Sequence, residues 1–180
     1  VDESPGGSGT GARVVIFAAH NMTALSGNIT ITHPSVTARA MCITTVAGID
    51  TLDQTAGASG SSTTPDSGVT GTRSVADELL FGVIGGEAPQ TETFTAGTNF
   101  TKLVGASAGG YTQGTTGGGA ASNMSVGAEV QKVTATGTDA ATATITSRDW
   151  TCVIATYNKA AAAATPTRPP SGTIGHPFII

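Results

Sequence analysis

Residues 150–157 read WTCVIATY, an apolar run of β-branched and aromatic side chains without Gly or Pro. Such side chains pack well on a pleated surface, and a short run of them bounded by turn signals is typical of a core strand. The preceding residues, 141–146 (ATATIT), predict a second strand, and residues 147–149 predict the turn that joins the two. The end of the domain is therefore predicted to be a hairpin.

Six further runs predict strands. They are residues 13–19 (RVVIFAA), 28–32 (NITIT), 36–47 (VTARAMCITTVA), 76–86 (ADELLFGVIGG), 100–106 (FTKLVGA) and 124–135 (MSVGAEVQKVTA). Gly82 lies inside one of these runs, where a missing side chain indicates a bulge or the close approach of another backbone. In residues 124–135, the inward-facing positions are predicted to be Met124, Val126, Ala128, Val130 and, after a β-bulge, Val133.

Two of the runs near the N-terminus show polar and apolar side chains in alternation. In residues 28–32 a period of two places Ile29 and Ile31 on one face. In residues 36–47 the inward face is predicted to carry Val36, Ala38, Ala40, Cys42 and Val46. Both runs are therefore expected to pack against a core.

Long loops are predicted between the strands. Residues 50–71 lose their large apolar side chains, and residues 107–121 are almost wholly Gly, Ser, Thr and Ala. No run favours a helix of ten residues or more. The sequence thus predicts an all-β fold, an antiparallel β-sandwich or jelly roll with long Gly/Ser/Thr-rich loops.

The composition and charge of the chain argue against two kinds of partner, nucleic acid and a membrane. Of the 180 residues, 32 are Thr and 25 are Gly, and only 11% are charged. The formal net charge is -4 and the Lys and Arg residues are scattered, so no basic stripe is present to bind nucleic acid. The longest apolar run, residues 79–84, is far shorter than the roughly 20 residues of a membrane-spanning helix, and no membrane partner is expected.

Residues with catalytic or metal-binding chemistry are dispersed. The three histidines lie in separate turn-like contexts without zinc-site spacing; they are His20, His33 and His176. The acidic residues offer a Ca²⁺ site as an alternative to a purely structural role. Its oxygen ligands would come from Asp50, Asp53, Asp77 and Glu78. A second alternative pairs Glu87 with Glu92 as glycosidase carboxylates. We interpret these groups as structural or solvated, and expect no catalytic residue, no metal and no cofactor.

The cysteines and the large aromatic residues are interpreted as parts of the core. Cys42 and Cys152 both lie in apolar strand-like runs, which predicts buried free thiols, with a disulfide between them as the alternative. Trp150 and Phe100 are predicted to anchor the core and not to serve as platforms for a sugar.

The sequence divides into a flexible leader (residues 1–11), a β-sandwich domain (12–158) and an extended C-terminal arm (159–180). Prolines preclude a helix in the arm, and its end is apolar, so it is expected to dock on its own domain or on a neighbouring subunit. The residues predicted to form this assembly arm are Pro169, Pro170, Ile174, Pro177, Phe178, Ile179 and Ile180.

Four motifs together resemble a known family. They are a Gly-acidic turn at residues 48–50, A-D-x-L-L-x-G at 76–82, F-x-x-G-x-x-F-x-x-L at 94–103 and S-R-D-W at 147–150. The set resembles a jelly-roll or lectin-like β-sandwich module of tailed-bacteriophage virion proteins, of the capsid decoration or minor tail protein type. The resemblance implies a structural role in an extracellular particle, the virion, without a catalytic set. The N-terminal strands are shortened here relative to that module.

Two functions are consistent with these features. The first is a non-enzymatic virion structural protein, a capsid decoration (cement) or tail component whose partners are the major capsid or tail protein and copies of itself. The alternative is a carbohydrate-binding or adhesive module of a fibre or cell-surface protein. In that case the loops at residues 50–71 and 107–121 would bind the glycan, with Tyr111 as their lone aromatic residue.

Overall fold

The computed structural model describes residues 2–3, 12–20, 22, 27–36, 38–88, 94–103, 111–114 and 123–161. These residues form the strands β1 Asp2–Glu3, β2 Val14–Val15, β3 Ile49–Ser62, β4 Asp77–Gly86, β5 Thr95–Ala96, β6 Thr101–Lys102, β7 Tyr111–Gly114, β8 Met124–Thr134, β9 Ala143–Thr144 and β10 Arg148–Lys159. Every pairing between them is antiparallel, and no described residue is helical. The all-β antiparallel class is confirmed. Within these ranges no helix is long and apolar enough to span a membrane.

Six strands form the main sheet, in the order β3, β10, β4, β8, with β6 and β7 both paired to β8. The strand β10 lies between β3 and β4, and its residues 150–157 are all buried. A strand that is apolar on both sides is stable only where both faces of the sheet are covered. The predicted strands at residues 76–86 and 124–135 are confirmed as β4 and β8.

The first face of the sheet carries the larger apolar cluster, which we call the first cluster. Its buried members are Leu80, Ile84, Phe94, Ala141, Ala143, Ile145, Trp150, Cys152 and Ile154. Residues 63–73 and 137–145 run side by side over this face, joined by backbone hydrogen bonds such as Ser67 N to Ala141 O at 2.9 Å. A Cβ on Gly82 would lie 2.7 Å from the Ala141 Cβ, so side-chain atoms approach this glycine closely, whereas the prediction named a bulge or another backbone.

Polar contacts fix these covering segments to each other and to the sheet. The Arg73 Nε lies 2.5 Å from Asp139 Oδ2, and its guanidinium also donates to the Ala135 carbonyl. The indole of Trp150 donates to Ser62 Oγ at 2.9 Å, and its ring packs directly against Gly60. Trp150 is buried and Phe100 packs on the first cluster, which confirms both as core residues.

The second face is covered by the N-terminal segment. Its cluster, the second cluster, has Val14, Val83, Ala128 and Val153 as buried members, and Ile16, Cys42, Phe81, Leu103 and Val126 pack against it. The Val14 side chain crosses directly over Gly85, and Thr151 Oγ1 donates to the Ala12 carbonyl at 2.7 Å. The residues of β10 therefore have a covered face on each side.

The predicted N-terminal strands are largely wrong. Of residues 13–19, only Val14–Val15 form a strand, and it pairs with just two residues of β1. The described parts of residues 28–32 and 36–47 contain no strand. Their β-branched side chains favour extended backbone, but a strand also needs a neighbour, and no described strand pairs with them. Ile29 and Ile31 are exposed and do not face a core.

The loop predicted at residues 50–71 is wrong over its first half, where β3 runs from Ile49 to Ser62. Small Ala, Gly and Ser side chains there carry no hydrophobic signal, and the strand exists because its backbone pairs along the full length of β10. In the predicted loop at 107–121, Tyr111–Gly114 form β7 on the edge of β8. The remainder of that loop lies outside the described residues.

The predicted terminal hairpin and β-bulge are also wrong. The strand β9 pairs with β5, whereas β10 inserts between β3 and β4. The register between β8 and β4 is regular from Thr134 to Ser125, without a bulge. Successive side chains of β8 point to opposite faces of the sheet, and this alternation alone places Val133 against the first cluster. Because both faces are covered, side chains at odd and at even positions of the strand all point into a core.

Candidate assembly surface

The described residues between β2 and β3 include a stretch without helix or strand whose large apolar side chains lie in solvent. We call residues 27–36 and 38–46 the apolar segment. Its exposed members are Ile29, Ile31, Val36, Met41, Ile43 and Val46, whose side chains are between 39% and 54% exposed. Large exposed apolar patches are common at interaction sites, so this segment is the candidate assembly surface of the chain.

The apolar segment has two different sides over residues 38–43. Ala38, Ala40 and Cys42 are half-buried, and Cys42 packs against the second cluster. Met41 and Ile43 alternate with them and point away from the body of the protein. Three of the five residues predicted to face inward are thus half-buried, whereas Val36 and Val46 are exposed.

The backbone groups of the apolar segment have no backbone partner among the described residues, although the Nδ1 atom of His33 lies 2.7 Å from the Pro34 carbonyl oxygen. Hydrogen bonds between backbone groups elsewhere join loops and turns, but none involves residues 28–36 or 38–46. The first such bond lies just beyond the segment, where the Ala160 N–H donates to the Gly48 carbonyl at 2.9 Å. A free row of donors and acceptors on an extended chain is a template for pairing with another strand.

The residues predicted for the C-terminal assembly arm, 169–180, lie outside the described residues. The described chain continues to Ala161, directly after β10. Since Ala160 bonds to Gly48, the arm begins at the same end of the sheet as the point where the apolar segment enters β3.

Two buried carboxyl groups lie elsewhere in the fold. Glu129 is fully buried beneath the covering layer; its Oε2 accepts the Gly97 N–H at 2.8 Å, and its Oε1 has no partner among the described residues. Burial raises the pKa of Glu129 to about 7, against the lowering effect of backbone N–H groups of Gly97 and Thr142. Sequence reasoning missed this residue, because a Glu inside a strand pattern predicts a solvated side chain.

The second buried carboxyl belongs to Glu78, whose two oxygens have no partner at hydrogen-bonding geometry in the described structure. Burial raises the pKa of Glu78, and the nearby Asp53 carboxylate raises it further. Burial by itself raises the pKa of Asp53 as well, but hydrogen bonds from Ser74, including its N–H at 2.6 Å, lower it on balance. The pKa values of the two neighbouring carboxyl groups are therefore shifted in opposite directions.

Of the residues predicted for a Ca²⁺ site, Asp50 and Asp77 line one depression, in which Asp77 pairs with Lys159. No group of three His, Cys, Asp or Glu residues in the described ranges is close enough to hold a metal ion. His20 lies against the Tyr157 ring, with 5.8 Å between centroids, and His33 is exposed. Glu92 and His176 lie outside the described residues. Cys42 and Cys152 are free thiols in clusters on opposite faces of the sheet, so the alternative of a disulfide between them is wrong.

A polar depression of about 300 Å³ opens at the edge of the covering layer. Its lining includes hydroxyl groups and one carboxylate, from Thr64, Asp66, Thr98, Thr142 and Thr144. Such a lining offers hydrogen bonds to a hydroxylated ligand, but no aromatic residue lines it.

Comparison of the chain with protein-family models, with curated proteins and with solved structures finds no match. The arguments for function therefore start from the geometry of the chain itself.

Proposed function

We propose that this chain is a non-enzymatic structural protein of a virion, a bacteriophage capsid decoration or tail component within the extracellular particle. The observation that carries the proposal is the apolar segment, which makes no backbone–backbone hydrogen bond among the described residues and has six large apolar side chains 39–54% exposed. Burial of such side chains contributes roughly 25 cal/mol per Å², so contact with another protein stabilises this conformation.

The proposal extends to the finer architecture. The main sheet and the segments over its first face form part of a β-sandwich of jelly-roll type, and the apolar segment adds its strands to that sandwich when it is paired. The C-terminal arm attaches to a neighbouring protein of the lattice, the major capsid or tail protein. The Ala160 to Gly48 bond supports this arrangement, because arm and apolar segment start from one end of the sheet. Strand addition would supply backbone hydrogen bonds as well as apolar burial.

The test is to find the chain on particles. Antibodies raised against the purified chain are used in immuno-electron microscopy of virions released by the organism that encodes it. Labelling at regularly repeated positions on shell or tail is expected, and labelling of free protein or cell surface alone contradicts the proposal.

A deletion tests the role of the arm. The chain without residues 165–180 is expected to keep the circular dichroism spectrum of the full chain and to lose its attachment to particles. A variant in which Ser171 and Thr173 are both replaced by Ala keeps the apolar and Pro residues and serves as the control. Attachment by the deletion variant at full strength would show that the arm is not needed.

The alternative, a carbohydrate-binding or adhesive module, is favoured by the polar depression at Thr64, Asp66 and Thr142. A glycan panel tests it with the full chain and with Asp66→Asn, whose side chain keeps its shape and loses its charge. Binding by the full chain that Asp66→Asn weakens would favour this function, whereas no binding to any glycan favours the virion proposal.

A further inference from the structure

We infer that the carboxyl groups of Glu78 and Asp53 and the side-chain oxygen of Asn158 form a binding site for a divalent cation, Ca²⁺. Glu78 lies two residues before Leu80 of the first cluster, so the site is at one end of the first face of the sheet. It is separate from the apolar segment and does not depend on the proposed function.

The first argument is a set of buried oxygen atoms without a donor. Glu78 is only 2% exposed, and neither of its carboxyl oxygens has a partner at hydrogen-bonding geometry among the described residues. Within the same ranges the Oδ1 atom of Asn158 is also buried without a partner. Buried polar atoms are nearly always paired, and buried carboxylates are paired or bind a metal ion, so these three oxygens indicate a cation.

The second argument is that the strand register brings these groups together. Glu78 and Asn158 are direct partners in the antiparallel pair of β4 and β10, so their side chains lie side by side on one face. On its other side Glu78 is opposite Val133 of β8, which has no donor in its side chain. Burial raises the pKa of Glu78 most, the Thr156 hydroxyl lowers it and the Asp53 carboxylate raises it, so both groups lie beside the Glu78 carboxyl.

The third argument is that Asp53 is held in place from outside the site. Its Oδ2 accepts the Ser74 N–H at 2.6 Å, and its Oδ1 accepts an N–H of the Gln54 amide at 3.3 Å. A carboxylate oxygen can accept more than one bond, so these contacts orient the group and leave it able to bind a metal ion.

The fourth argument is charge. The basic residues nearest to these groups in the sequence have other partners. Arg73 pairs with Asp139. Lys159 pairs with Asp77, which alternates with Glu78 and lies on the opposite face. A positive charge for the site is therefore not supplied by either residue.

The donor set selects the ion. Two carboxyl groups and one amide oxygen are ligands typical of Ca²⁺, which completes a shell of roughly six to eight oxygens with water. Because only two of the three ligands are carboxyl groups, the site is not a group of three His, Cys, Asp or Glu residues. Asn158 also lines the open depression of about 460 Å³ that contains Asp50 and Asp77, through which the ion reaches the site from solvent.

The experiment is calorimetric titration of the full chain with CaCl₂ at neutral pH. The thermal midpoint is measured with and without about 10 mM CaCl₂, using KCl to keep the ionic strength equal. We expect one Ca²⁺ per chain, with a dissociation constant of about 10⁻⁴–10⁻³ M, and a higher midpoint in its presence. Glu78→Gln and Asp53→Asn are expected to weaken binding at least tenfold.

The matched control is Asp77→Asn, which removes the acidic side chain next to Glu78 on the opposite face and should leave the dissociation constant unchanged. Circular dichroism verifies that each variant is folded, and Asp53→Asn, at a half-buried site, carries the test if Glu78→Gln does not fold.

Three results would overturn the inference. They are the absence of both binding heat and a midpoint shift, full binding by the folded variants of Glu78 and Asp53, and equal weakening by Asp77→Asn. A chain that binds Ca²⁺ as expected but is absent from particles removes the proposed function alone.

Discussion

The carboxyl group of Glu129 connects a single side chain to the stability of the whole covering layer. Its folded pKa is about 7, above the ordinary value of 4.5, because the charged form is buried. Below pH 4.5 the carboxyl is protonated whether the chain is folded or unfolded, and folding carries no penalty from it. Between pH 4.5 and about pH 7 the unfolded chain loses this proton while the folded chain retains it, so stability falls across that range and the loss is complete once the pH has passed 7.

We expect Glu129→Gln to remove this dependence, because an amide keeps one acceptor for the Gly97 N–H and cannot ionise. The free energy of unfolding of both proteins is measured in urea at pH 5 and at pH 8. Between these two pH values, the free energy of unfolding of the variant should rise by up to about 3 kcal/mol relative to that of the wild type. Glu87→Gln, at a half-exposed site, is the control. An equal pH slope in Glu129→Gln and wild type would contradict the assignment.

Gly82 also links a single position to the stability of the covering layer, here through the space available beside β4. A Cβ at this position would lie 2.7 Å from the Ala141 Cβ and 2.9 Å from Glu129 Cγ. We expect Gly82→Ala to destabilise the fold by about 1–3 kcal/mol, because both neighbours belong to packed elements. In Gly86→Ala the nearest atom to the new methyl is 3.7 Å away, an ordinary contact, so the same urea measurement should show a much smaller loss. Equal losses would mean that glycine is needed in β4 for another reason.

At the scale of elements, Arg73 and Asp139 join the two segments that cover the first face. Their side chains are only 5% and 17% exposed, and the Nε to Oδ2 distance is 2.5 Å. Removal of one member of a buried pair leaves the other uncompensated, which costs about 3–5 kcal/mol.

We therefore expect Arg73→Met to lower the free energy of unfolding by about 3 kcal/mol. Lys159→Met breaks the exposed pair with Asp77, whose side chains are 59% and 46% exposed, and should cost less than about 1 kcal/mol. Both are measured by denaturant unfolding. A loss no greater in Arg73→Met than in Lys159→Met would show that the first pair does not hold the covering layer.

The elements also show what the sequence could predict. The strands β4 and β10 were predictable because their continuous apolar runs signal burial whatever their partners are, and β8 was predictable from its alternation of apolar with small or polar residues. The strand β3 was not, since Thr55–Ser62 carry small or hydroxylated side chains and become a strand through pairing with β10. The alternation in residues 28–47 was visible, but alternation does not say whether the apolar side meets the chain's own core or another surface.

The sequence could likewise predict only part of the candidate assembly surface. The arm residues, 169–180, were selected for their apolar character and Pro content, and that prediction still awaits its test. The exposure of Ile29 and Ile31 was not anticipated, because an apolar side chain in a strand pattern is ordinarily assigned to the core. Their exposure depends on which strands lie nearby, which is a property of the whole fold.

At the scale of the molecule, the central position of β10 makes the sheet depend on one strand. Chains ending at residue 147 lack it, and β3 and β4 then have no common neighbour. We expect such a chain to lose β-sheet circular dichroism and to be digested rapidly by protease, whereas a chain ending at residue 164 keeps both properties of the full protein. A folded, protease-resistant chain of 147 residues would show that the sheet closes without β10.

This arrangement has a consequence for biosynthesis. The strand that completes the sheet is the last of the ten described strands to be synthesised, and it must enter between two strands made long before it. Until residues 148–159 emerge from the ribosome, β3 and β4 each present an open edge to other nascent chains and to chaperones. The sheet is therefore completed only after residues 148–159 have been made, and the interval before its completion is when aggregation competes most strongly.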